Sequence, residues 1–327
     1  MSPEIMLEFP IALEWKISAN NYYLKYKNST NNDYFVSTKY TAVHSSNVKY
    51  YMELCPNGDR NERRGQTWIF LHLELGSETR VEAEYTISVK SANRHLNFNY
   101  VYGREFPGWG SCLCKPDDLF VNNSPFLING DLYIKLEGTL KVKKAESLLG
   151  IHGMNGLWDQ DYKDFTIVVK NMQKIEVHKN VLACCSPVFA AMFKSSWKEA
   201  AESKVDIPDF SFEIVEKAVK LCYDYKLVDE ISIEEGIEIY AFGDKYDIEV
   251  VRNFVELYLG NNLTVSNFCE IVNFGISVNA SKLKNKCMDF LICCFFKQID
   301  VPKIEGIDKD FVAEALKNLL CHFCETL

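Results

Sequence analysis

The stretch from His178 to Phe193, HKNVLACCSPVFAAMF, narrows the possible folds more than any other part of the chain. After Asn180 it is apolar at nearly every position, so a helix formed here has no face to give to water. Ser186-Pro187 divides it. Serine is a good N-cap, and proline suits the first helical position, where its missing N–H costs nothing. Two short buried helices are therefore predicted, roughly 179–185 and 187–193, joined at a sharp corner.

A chain of 327 residues has room for two domains or slightly more, and 47% hydrophobic residues supply full-sized cores. The net charge of −9, with no strong concentration of Lys and Arg, argues against a nucleic-acid partner held by phosphate neutralisation. Arg60, Arg63 and Arg64 read as a solvated, turn-like patch. The opening MSPEIMLEFP lacks the basic start and apolar core of a signal peptide. The longest apolar run, about 290–296, is far short of a membrane span. The twelve cysteines are scattered and several fall inside apolar patterns, so free thiols in a reducing compartment, cytoplasm and/or nucleus, are expected. The sequons at Asn28, Asn122, Asn262 and Asn279 have no consequence there.

Period-two alternation dominates residues 1–143. Val81, Ala83, Tyr85, Ile87 and Val89 point one way, and Glu82, Glu84, Thr86, Ser88 and Lys90 the other, as in a half-buried antiparallel strand. Ile69–Leu75, Leu96–Tyr102 and Leu132–Leu136 repeat the pattern, and 13–19, 34–42 and 48–55 are further candidates. Pro56-Asn57-Gly58-Asp59 is a turn signal. Seven or eight short strands without a convincing helix predict an all-β antiparallel sandwich.

Trp15-x-Ile17, the Cys55-Pro-Asn-Gly58 turn, the strand Trp68–Leu75, Trp109-Gly110 in a loop, Asp118-Leu119 and the final Gly130–Ile134 strand resemble the MATH (meprin and TRAF homology) domain. The resemblance implies a shallow aromatic groove for extended peptides, with Trp68, Tyr85 and Trp109 as its positions and Val101 or Tyr102 nearby. Core packing competes with ligand contact for Tyr85, which lies on the apolar face of its strand. Pro107, Gly108, Ser111 and Cys112 stand where studied relatives carry polar or charged residues, so their peptide preference does not transfer.

A Lys- and Gly-rich linker, 141–156, leads into the second region. Asp164–Val169, Ile175–Val177 and Val205–Ile207 read as strands, and helices follow. One is capped by Ser211 and another by the Ser232-x-x-Glu235 capping box, which directs Ile237, Tyr240 and Ala241 inward. A third begins at Asp247. A small sheet with a helical cluster is an α+β domain.

Asp164, the HKxVLAxxSPVFxxMF run from His178, Tyr223 and Asp244-Lys-Tyr246 resemble the BTB/POZ domain, placed over 144–262. The resemblance implies self-association and no catalytic machinery. His178 reads as a hydrogen-bonded structural histidine. Asp164 and Lys179 match a charged pair in a dimer-proximal pocket. Trp197 and Glu199 match the hydrophobic-x-Glu segment by which such domains bind cullin-3. The segment matching the family's dimer helix, 146–158, carries Gly150, Gly153 and Gly156. Each weakens a helix by about 1 kcal/mol relative to alanine.

Residues 263–327 read as a helical tail, with helices through Phe268–Ile276 and Leu283–Cys294 and a third over 310–323, and resemble the start of a BACK-type extension. Cys321-His-Phe-Cys324 has the spacing of a zinc half-site, but no second half-site stands at matching distance, so no metal is expected. No nucleophile–base set appears either, so neither an enzyme nor a cofactor is expected. MATH followed by BTB is the architecture of speckle-type POZ protein-like cullin-3 substrate adaptors. It implies a homodimer that holds a substrate's extended degron peptide and binds cullin-3, with no nucleic acid and no membrane involved. The rival reading is a self-associating scaffold or transcriptional co-regulator without a cullin partner.

Overall fold

Strands carry the first part of the chain and helices the second. The computed structural model describes residues 6–28, 33–143, 155–194 and 197–326. They fall into two units, residues 1–145 with 288–327, and residues 146–287.

The first unit begins with β1 (Met6–Ser18), α1 (Ala19–Asn28), β2 (Phe35–Val36), β3 (Tyr40–Val43), β4 (Val48–Cys55), β5 (Thr67–Glu74), β6 (Arg80–Val89), β7 (Arg94–Gly103) and β8 (Gly108–Cys114). It continues with α2 (Pro116–Phe120), β9 (Leu127–Ile128) and β10 (Asp131–Lys143). One sheet runs β1-β10-β6-β7 and the other β2-β4-β5-β8, all antiparallel. Their inner faces share one core, with Leu13, Trp15, Ile87 and Ile134 from the first sheet and Tyr50, Met52, Ile69 and Leu71 from the second. Buried tyrosine hydroxyls tie the sheets together. Tyr50 donates to the Ala12 carbonyl and Tyr102 to the Leu71 carbonyl, each at 3.2 Å.

Two elements differ from the sequence reading. The sequence reading finds no convincing helix before residue 143, yet α1 is one. It hides because one face alone is apolar: Tyr22 is buried and Tyr26, four residues on, packs against the core. The Trp109 loop is in fact β8, paired with β5. Pro107, Gly108 and Gly110 look loop-like, yet the glycines permit close strand approach. A Cβ on Gly110 would sit 1.9 Å from the Ile69 carbonyl oxygen.

The second unit holds α3 (Asn155–Trp158), β11 (Phe165–Val169), β12 (Lys174–Val177), α4 (Lys179–Cys185), α5 (Pro187–Met192), α6 (Lys198–Glu202) and β13 (Lys204–Ile207). α7 (Phe212–Tyr223), α8 (Ile233–Lys245), α9 (Glu249–Asn261) and α10 (Phe268–Ser277) follow. β11 is antiparallel to β12 and parallel to β13. α4 and α5 meet at the predicted corner. The Ser186 side chain accepts from Phe189 N at 3.0 Å, and its hydroxyl donates to the Tyr246 carbonyl at 2.5 Å. The stretch is less enclosed than its composition suggested, since Cys184 is exposed and Val188, Ala191 and Met192 are half-buried. Residues 144–154, and so most of the segment matched to a dimer helix, lie outside the described residues.

Helix caps follow the sequence with two corrections. Ser232 and Glu235 form the reciprocal capping box. Removing it by Ser232→Ala is expected to lower the unfolding free energy by about 1 kcal/mol, read as a lower urea midpoint with an unchanged slope. In α8 the buried positions are Gly236, Ile239, Tyr240, Phe242 and Gly243, and Ala241 is exposed. α9 starts at Glu249, because Asp247 sits in the left-handed region at φ 47°.

The tail departs further from expectation. α11 (Ser281–Phe296) and α12 (Lys309–Lys317) are helical, but the helix predicted over 310–323 stops at Lys317. Residues His322–Thr326 form β14, parallel to β1, with Cys324 buried and Phe323 exposed in strand alternation. From Met288 onward the tail belongs with the sheets. Asp289, buried midway along α11, accepts from the backbone N–H groups of His44 (2.7 Å) and Ser45 (2.8 Å) between β3 and β4.

Candidate functional site

The aromatic candidates of the first unit separate into two places. Trp68, Phe70 and His72 alternate with the buried Ile69, Leu71 and Leu73, so they face outward from β5. Trp109 is paired with the buried Leu71 and therefore stands on the opposite face. β8 is an edge strand, however, and Trp109 stays 45% exposed at the rim. Its ring lies flat on Tyr100 of β7, with centroids 4.2 Å apart and planes 7° from parallel. β7 is the edge of the other sheet, so this stack spans the open side of the sandwich.

Tyr85 and Tyr102 lie beneath that stack. Both are buried, their hydroxyls are 2.9 Å apart, and the Tyr85 hydroxyl donates to the Trp109 carbonyl at 3.2 Å. Burial pushes both phenols well above their ordinary value, so they stay protonated and act as neutral donors. As placed, they position Trp109 and present no surface to a ligand. Val101 points outward, since Tyr102 next to it points in. Tyr100 is the member that sequence reasoning missed; the alternation Leu96, Phe98, Tyr100, Tyr102 already put it on the right face.

Trp68 belongs to a ladder on the outer sheet face. It stacks on Phe70 (5.9 Å), Phe70 neighbours His72 (6.1 Å), and His72 stacks on Tyr51 (5.2 Å). Arg63, read from sequence as solvated, instead lays its guanidinium 3.6 Å from the Trp68 ring centroid and holds Asp59 at 2.9 Å. The turn makes this possible: Gly58 sits at φ 75°, and a Cβ there would meet the Arg63 carbonyl at 2.4 Å.

In the second unit, Trp197 is the N-cap of α6 and is 48% exposed, and Glu199 is half-buried in the first helical turn. Ser195 and Ser196 before them lie outside the described residues. Asp164 and Lys179 do meet, but not as a side-chain pair. The Asp164 carboxylate accepts from the Lys179 backbone N–H at 2.8 Å, capping the start of α4. The Lys179 ammonium turns to the Ser203 hydroxyl at 3.2 Å. A free backbone donor at a helix N-terminus is a fixed, well-aimed partner for a carboxylate. His178 is held by Tyr223, whose hydroxyl lies 2.9 Å from its backbone N and 3.1 Å from Nδ1.

Among the described residues, no group of three or more His, Cys, Asp or Glu is placed to hold a metal ion. Cys321 is exposed and Cys324 is buried in β14. No helix among the described residues is long and apolar enough to cross a membrane.

The second unit is thus a three-stranded sheet followed by a helical cluster, with a Ser-capped corner between two short apolar helices. Residues 154–263 match the family model described as the BTB/POZ domain, and the chain carries that domain there. Such domains commonly mediate homodimerisation and binding of protein partners. Among solved structures, the BTB domain of zebrafish PATZ1 is similar over 33% of this chain and 86% of its own length, with 17% identity and a TM-score of 0.27.

Proposed function

We propose that this protein is a non-enzymatic substrate adaptor of a cullin-3 ubiquitin ligase. Its first unit is a MATH-type peptide-binding domain, and its BTB domain self-associates and binds cullin-3. The observation that carries the cullin contact is Trp197, a large aromatic left 48% exposed at the N-cap of α6 with Glu199 two residues on. Aromatic anchors of this kind dominate binding energy at interfaces. The Tyr100–Trp109 stack, between the edge strands β7 and β8, supports an extended peptide as the substrate element, because its rings offer such a segment apolar contact. Self-association would double both grips, and two weak grips on one target raise avidity by roughly 100-fold or more. Ubiquitin transfer is then the work of partners.

The doubly substituted Trp197→Ala/Glu199→Ala protein is expected to retain its elution volume as a self-associated species and to lose at least nine-tenths of cullin-3 recovered by pull-down, roughly 1.4 kcal/mol. Undiminished recovery rejects the assignment.

A further inference from the structure

The edge of β1 is filled by a segment with the features of a bound peptide. Within residues 6–143 the two sheets already enclose their core; among the described residues beyond Val142, Cys324 is the one fully buried side chain in this core, and Cys293 packs against it partly buried. β14 pairs in parallel with β1, from Leu13 opposite His322 to Ile17 opposite Thr326, whereas the neighbouring pairs in that sheet are antiparallel. Contacts are made residue by residue. The His322 ring stacks on Tyr40 with centroids 4.0 Å apart and planes within 8°. The Tyr40 hydroxyl donates to the Phe323 carbonyl at 3.2 Å. Cys324 enters the core opposite Trp15. The Lys16 ammonium holds Glu325 at 2.6 Å and Asp131 at 3.3 Å. Trp15, fully buried, donates its indole N–H to the Thr326 hydroxyl at 2.8 Å.

We propose that the β1 edge is an acceptor site for an extended peptide, and that residues 322–326 are its resident ligand, docked in cis. Main-chain pairing along an edge, with specificity at alternate side chains, is how extended segments add to sheets. The ligand class follows from the contacts: a flat ring first, a small apolar side chain third, a carboxylate fourth and a hydroxyl fifth. This site is distinct from the Tyr100–Trp109 stack, because β1 and β7 are separated in their sheet by β10 and β6. Covalent attachment gives the resident strand an effective concentration on the order of millimolar, so the intact chain resists a free competitor.

The test uses a fluorescently labelled peptide of residues 320–327, kept reduced, and three proteins: the intact chain, a chain ending at Lys317, and the full-length Cys324→Arg variant, whose buried position cannot take a charge. Anisotropy titration is expected to show the peptide binding both altered proteins at least tenfold more tightly than the intact chain. A peptide carrying Thr326→Val is expected to bind them at least tenfold more weakly. Folded altered proteins that fail to bind the peptide, or that bind no better than the intact chain, overturn the proposal. Loss of cooperative unfolding in both altered proteins overturns it too, since the sheets would then need β14 as a structural strand.

Discussion

Gly110→Ala is expected to destabilise the first unit by about 3 kcal/mol, the upper part of the range for overpacking. The added methyl would stand 1.9 Å from the Ile69 carbonyl oxygen and 2.7 Å from the Phe70 Cα, both backbone atoms that no rotamer change can move. Relief requires β8 to separate from β5. That breaks the pairing that presents Trp109, and with it the 4.2 Å stack on Tyr100. For a unit of this size the melting midpoint should fall by roughly 6–12 °C. Gly103→Ala is the control: it has open space around its Cβ and no positive φ, and should leave the midpoint within about 1 °C. Thermal unfolding followed by tryptophan fluorescence reads both. An unchanged midpoint for Gly110→Ala would mean that β8 does not lie against β5 as described. If the proposed peptide groove is correct, the same substitution removes peptide binding at temperatures where the protein is still folded.

The sheets were legible because burial writes itself into alternation: Val81–Val89 and Ile69–Leu75 each show one apolar side, and each became a core strand. The α4–α5 corner was legible for a similar local reason, a serine that caps and a proline that begins a helix. What escaped reading depends on partners distant in sequence. β14 is five residues long and has no signal of its own; its identity as a strand comes from Trp15, 311 residues away along the chain. β8 was masked by glycines whose meaning appears only when β5 is brought against them. At the candidate sites, residue types were readable but geometry was not. Asp164 and Lys179 were identified as a pair, yet the carboxylate bonds a backbone N–H and the ammonium bonds Ser203. Trp68 and Trp109 looked like members of one groove, and the strand registers put them on opposite faces. A sequence reveals which side of an element is apolar, but not which edge of a sheet that element will occupy.

Ser186→Ala is expected to destabilise the BTB domain by about 2–4 kcal/mol, far more than a surface cap would. Two separate losses add. The helix cap to Phe189 N, at 3.0 Å, contributes about 1 kcal/mol by itself. The second loss is the hydrogen bond to the Tyr246 carbonyl at 2.5 Å, in a place where Ser186 has no solvent exposure. A buried carbonyl left without its donor costs a further 1–3 kcal/mol, roughly. Repacking is restricted because the Tyr246 ring is stacked on Phe189 with centroids 5.0 Å apart, so the carbonyl cannot turn toward water without disturbing the core. Ser211→Ala separates the two contributions, since Ser211 caps α7 through Ile214 N at 3.3 Å and is only half-buried. It should cost about 1 kcal/mol and no more. Urea unfolding of both variants supplies the comparison. Equal losses would show that the Ser186–Tyr246 bond adds nothing. An excess for Ser186 would establish that bond as the tie between the α4–α5 corner and the end of α8, two segments 60 residues apart in sequence.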